Sequence, residues 1–225
     1  MQSYTDQIPF DASDFAENPE PRCPCLLLLD TSGSMRGKPI AELNAGLLAF
    51  KDAIQSDSLA SKRVEVGIIT FGPPQIICPF QTADGFVPPT LKAAHDTPMG
   101  AAIELGLDMI RQRKDAYQKG GIAYYRPWIM MITDGGPTDA WSAAAKRVRE
   151  GEAARAFSFF AVAVEGADIA KLTDIAVRQP LRLKEMRFRD LFVWLSNSMA
   201  SVSRSNPGDH VPLDNPATPD GWASV

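Results

Sequence analysis

Residues 25–30, CLLLLD, constrain the fold more than any other stretch of the chain. The apolar run is continuous rather than alternating, and it is too short for a buried helix. Such a run reads as a β-strand covered on both faces. The pattern then repeats around it. Residues 37–55 place Ile40, Leu43, Leu47, Phe50 and Ile54 at helical spacing, with Pro39 suited to the first turn. RVEVGIITFG is β-branched and reads as a second strand. QIICPFQTA follows after too few residues for a crossover, so it is expected to run antiparallel, and Pro79 suits a sheet edge. Further helices are expected over 97–117, 138–155, 168–177 and 187–203, and further strands at PWIMMITDG, FSFFAVAVE and LRLKEM. Strands separated by helices imply right-handed crossovers and a mainly parallel sheet covered on both sides. The expected fold class is α/β: a doubly wound, mainly parallel six-stranded sheet with one antiparallel edge strand and helices on both faces.

The expected domain runs over 21–204, flanked by an extended arm at 1–20 and a Pro-rich tail at 205–225 whose candidate anchor is Trp222. The net charge of −4 argues against nucleic acid as the main partner, because phosphate binding needs a basic face. The three cysteines, Cys23, Cys25 and Cys78, form no C-x-x-C pair and read as buried thiols in a reducing compartment. The first residues show no signal-peptide pattern, and no run approaches the about 18 apolar residues of a membrane helix. A cytoplasmic protein without a membrane partner is expected.

Oxygen-bearing side chains gather where the apolar strands end. Asp30 leads into TSGSM, Asp134 leads into GGPTD, and the polar turn HDTPMG opens a helix between them in sequence. Ligands of doubly wound sheets sit beyond the carboxyl ends of the strands, where strand order reverses. If the strands carrying Asp30 and Asp134 are neighbours there, the three turns converge. They then present Asp30, Ser32, Ser34, Thr97 and Asp134. Two carboxylates and three hydroxyls, without sulfur or imidazole, suit Mg²⁺ or Mn²⁺; Ca²⁺ suits the set less well because it takes more ligands. Gly33 is expected to give the first turn its freedom.

DTSGSM, TPMGAA and ITDGGPTD, in that order, resemble the three motif loops of the von Willebrand factor type A domain. The resemblance covers about residues 21–204. It implies a metal-ion-dependent adhesion site with Asp30, Ser32 and Ser34 in the first motif, Thr97 in the second and Asp134 in the third. It also implies a Rossmann-like fold with QIICPFQTA as the antiparallel edge. Within the family, the compact form and the ending FRDLFVWLSNSMASVS look most like TerY-like bacterial proteins linked to tellurium resistance and stress response. That resemblance implies a cytoplasmic protein partner such as a kinase, a phosphatase or another stress protein. Two departures stand out. His95-Asp96 replaces the glycine that usually precedes the threonine, and Gly136 is expected to leave the rim more open.

Each of these residues also has a plainer reading. Ser32, Ser34 and Thr97 are candidate helix caps, and Asp139 reads as the start of a helix. Met130 and Met131 read as core and His95 as a solvated loop residue. RQRK from Arg111 and RVREGEAAR read as solvated helix faces. As for chemistry, Gly33–Lys38 is one residue short of a P-loop, and no G-x-S-x-G elbow surrounds either serine. A cation with a vacant coordination position and no obvious general base describes a non-enzymatic module that binds an Asp or Glu of a protein partner. A Mg²⁺-dependent phosphotransfer or hydrolytic enzyme and a scaffold with a structural metal are the alternatives.

Overall fold

The computed structural model of the protein describes residues 18–224. All but the last three residues of the expected N-terminal arm lie outside the described residues. In chain order the main elements are β1 (Cys23–Asp30), α1 (Lys38–Gln55), the short α2 (Ala60–Arg63), β2 (Val64–Phe71) and β3 (Gln75–Thr82). They continue with α3 (Met99–Lys119), β4 (Trp128–Thr133), α4 (Ser142–Ala153) and β5 (Ser158–Ala163). α5 (Ile169–Ile175), β6 (Leu181–Leu183), α6 (Phe188–Arg204) and β7 (Ala223–Ser224) complete the chain.

The strands form one sheet in the order β3-β2-β1-β4-β5-β6-β7. β1 pairs in parallel with both β2 and β4, which places the reversal of strand order at β1. All eight residues of β1 are buried. Leu27 and Leu29 enter the core layer shared with α1 and α6, whereas Leu26 and Leu28 enter the layer under α3, α4 and α5. An unbroken apolar run is what a strand needs when helices cover both its faces. Each buried leucine contributes about 1.5–3 kcal/mol. Helices α1 and α6 approach closely because Gly46 has no side chain: a Cβ there would lie 2.5 Å from the Phe192 ring. No helix among the described residues is long and apolar enough to cross a membrane.

The expected hairpin is present, with β3 antiparallel to β2 and Pro79 on the outer strand. The sheet has seven strands, however, not the expected six, and both edges are antiparallel. The extra strand comes from the tail: Leu183 pairs with Ala223 and Arg182 with Ser224. Trp222 is 3% exposed, packs 5.5 Å from Trp194, and accepts a hydrogen bond at its carbonyl from the Lys184 amide at 2.9 Å. Burial of Trp222, together with hydrogen bonds from Lys184, Arg187 and Trp194 to tail carbonyls, holds a segment that is otherwise irregular.

The two helix faces read as solvated are only partly so. Arg113, from RQRK, makes a bidentate contact with Glu65 at 2.7 and 2.6 Å. Glu65 is fully buried at the N-terminal end of β2, where it also meets Arg22 at 3.2 Å and accepts from the Tyr117 hydroxyl. Burial, with the Glu65 charge alongside, pushes that hydroxyl well above its usual pKa, so Tyr117 remains a neutral donor. Glu152, from RVREGEAAR, is likewise buried and pairs with Arg126 at 3.0 Å and Arg178 at 3.2 Å.

Candidate metal centre

The carboxyl ends of β1 and β4 lie side by side, and each strand delivers an aspartate there. Asp30 ends β1 with its side chain wholly buried. One carboxylate oxygen accepts from the Ser32 amide at 2.8 Å and the other from the Thr133 hydroxyl at 2.5 Å. Thr133 is the last residue of β4, so this bond ties the two strand ends together. A 3₁₀ turn over Gly33–Met35 then bends the chain back. The bend brings the Ser34 hydroxyl 2.9 Å from that of Ser32, and Ser34 donates to Asp134 Oδ1 at 2.7 Å.

The second turn is stapled to both others. Gly33 N–H donates to the His95 carbonyl at 2.9 Å, linking it to the first motif. Thr97 N–H donates to Thr138 Oγ1 at 3.1 Å, and Thr97 O accepts from Thr138 N–H at 3.0 Å, linking it to the third. Thr97 is buried, and its hydroxyl oxygen lies 3.5 Å from where a Cβ on Gly135 would stand. Gly33 is not in the left-handed region, and a Cβ there would stand 3.4 Å from the His95 carbonyl, an ordinary contact, so the turn does not draw on the freedom expected of it.

Several plainer readings fail on this geometry. Neither Ser32 nor Ser34 caps α1, whose N-cap position is Gly37 without a side-chain bond. Thr97 does not cap α3 either. That cap comes from Asp139, which accepts from the Gly100 and Ala101 amides at 2.9 and 2.8 Å. Asp139 therefore closes the start of a helix distant in sequence, not of its own. A Cβ on Gly100 would sit 2.5 Å from the Ala140 carbonyl, which shows how tightly the third turn packs on that helix end. Asp139→Ala is expected to cost about 1 kcal/mol, the usual value of a lost cap, measured as a lower urea midpoint with an unchanged slope. The space beside Gly136 is not open as expected: a Cβ there would meet Asp168 Cβ at 3.2 Å and Lys171 Nζ at 3.5 Å. His95 and Asp96 are exposed, and His95 has φ 65°, which turns its carbonyl toward Gly33.

Burial pushes the Asp30 carboxyl up; the Thr133 and Ser32 hydrogen bonds oppose this, and the Asp134 charge adds to it. Burial also pushes Asp134 up, opposed by the Ser34 hydroxyl. Among the described residues no lysine or arginine pairs with Asp30 or Asp134, whose partners are hydroxyls and amides. No group of three His, Cys, Asp or Glu side chains forms among the described residues, so an ion here would meet two carboxylates and otherwise neutral oxygens. That donor set fits a hard divalent cation. Thr133, Thr138 and Asp139 were not singled out as partners of the site from sequence. Thr133 is indistinguishable from an ordinary strand residue until its neighbour strand is known.

The family model for the von Willebrand factor type A domain matches residues 26–190. Among solved structures, the pilus adhesin SpaC from Lactobacillus rhamnosus GG is similar in fold, with a TM-score of 0.65 at 13% identity over 82% of this chain and 31% of that one. Proximal thread matrix protein 1 from the mussel byssus is similar at a TM-score of 0.56 and 14% identity, over 81% of this chain and 49% of that one. The chain thus spans less than half the length of either, and at these identities the likeness is one of fold. No curated protein matches the chain. The family match covers most of the described residues, and the chain belongs to the von Willebrand factor type A domain family.

Proposed function

We propose that the domain binds a protein partner through a hard divalent cation, Mg²⁺ or Mn²⁺, held by Asp30, Ser32, Ser34, Thr97 and Asp134. Domains of this family commonly mediate protein–protein interaction. The bound ion supplies a positive centre to which a carboxylate from an Asp or Glu of the partner is attracted. The observation that carries this reading is a pair of buried, neighbouring carboxylates to which, among the described residues, no lysine or arginine is paired. The chain's own residues do the positioning: Thr133 orients Asp30, and Ser34 orients Asp134. Among the described residues, the hydrogen-bond partners of both aspartates are hydroxyls and amides, with no imidazole, lysine or thiol to move a proton. This favours recognition over hydrolysis or group transfer. The resemblance to TerY-like tellurium-resistance proteins makes a cytoplasmic kinase, phosphatase or other stress-response protein the first partner to seek.

The test is a pull-down from native lysate with immobilised protein. A specific partner is expected to be retained in Mg²⁺ and lost both in EDTA and with Asp30→Asn. Retention of the same partner in EDTA would refute the metal-dependent reading.

A further inference from the structure

At the opposite end of the sheet from the metal rim lies a groove of about 800 Å³. Its wall is built at the N-terminal ends of β4 and β5, and residues 207–213 of the tail form its other side. Three cations line it: Lys114, Arg126 and Arg155. Lys114 and Arg155 carry no ion pair among the described residues. The Lys114 ammonium reaches only the Ala156 carbonyl at 3.4 Å and lies 6.0 Å from the Tyr124 ring. Arg126 shares the single carboxylate of Glu152 with Arg178, so that trio keeps a positive excess. The acidic residue of the lining, Asp209, accepts from the Asn206 amide at 2.8 Å and offsets one of these charges, which leaves the groove with a positive excess. A chain of net charge −4 therefore concentrates positive charge in one groove.

The groove also offers backbone. His210, Val211 and Leu213 belong to no helix or strand, and among the described residues nothing hydrogen-bonds to their main chain; Pro212 between them carries no N–H. Val211 and Leu213 add apolar surface, and Leu213 is exposed. The aromatic residues are walls rather than stacking platforms. Trp128 packs on Phe160 at 4.9 Å, Tyr124 packs on Tyr117 at 5.2 Å, and Tyr125 is 3% exposed with its hydroxyl on the Ser203 and Ser205 carbonyls. Single-stranded nucleic acid needs open ring faces for its bases, and here the rings are already engaged. An extended peptide needs a free strip of main chain, apolar pockets and complementary charge.

We infer that this groove binds an extended acidic segment of a partner protein, independently of any metal. The domain then has two binding faces at opposite ends of its sheet, and the inference stands whether or not the rim holds an ion.

The probe is a random linear peptide library displayed on phage and panned against the whole chain in EDTA. Enriched peptides are expected to combine Asp or Glu with apolar residues and to bind equally in EDTA and Mg²⁺. Synthetic copies are expected to lose about tenfold or more in affinity to the Lys114→Glu/Arg155→Glu protein, and to weaken with added salt. Should the double reversal melt early, Lys114→Gln/Arg155→Gln serves, with a smaller loss. Failure to enrich acidic peptides overturns the inference, as does binding indifferent to both pairs of substitutions. Tighter binding of a single-stranded oligonucleotide through the same two cations would also overturn it.

Discussion

Glu65→Gln is expected to lower the unfolding free energy by about 3–5 kcal/mol, because it leaves Arg22 and Arg113 beside each other without their shared negative charge. The substitution preserves shape, so packing loss contributes little. What disappears is the carboxylate that accepts from Arg113 at both oxygens and from the Tyr117 hydroxyl. Arg22 is 1% exposed, and it also donates to the neutral carbonyls of Asn18 and Glu20. For a chain of this size the loss corresponds to a fall in Tm of roughly 6–20 °C. Thermal unfolding followed by circular dichroism measures it. A variant that melts within a degree or two of the parent would show that the cluster is held by something other than this charge.

Mg²⁺ or Mn²⁺ at about 100 times its Kd is expected to add about 2.7 kcal/mol, a rise in Tm of roughly 5–11 °C for a chain of this size. Asp30→Asn should abolish that gain while leaving the metal-free protein folded. An asparagine carbonyl can still accept from the Ser32 amide, and its amide group can donate to the Thr133 oxygen that now donates to Asp30. Because burial already pushes the Asp30 carboxyl up, a neutral group there costs the metal-free fold little. Differential scanning calorimetry with and without EDTA reads both effects. An equal gain in the variant would move the ion elsewhere, and no gain in the parent would remove it from the account.

The layered fold was legible because local rules agreed. CLLLLD has no polar face, and the short gap before QIICPFQTA left a hairpin as its only connection. The five proposed ligands were legible because three oxygen-rich turns follow buried strands or open a helix. The rest depended on partners distant in sequence. Arg113 and Glu152 sit in runs rich in charge, and nothing local distinguishes a buried member from a solvated one. Asp139 caps a helix that begins about forty residues earlier, a relation visible only once the second and third turns touch. β7 is two residues long, and its signal lies in its neighbour Trp222 rather than in its own side chains.

The two flanks of the sheet have a bearing on behaviour at high concentration. On one side β3 carries a proline and irregular register, and on the other β6 and β7 span three and two residues among the described residues. Among the described residues, neither flank offers a long unbroken row of free amides and carbonyls to a neighbouring molecule. Borders of this kind work against edge-to-edge stacking between copies.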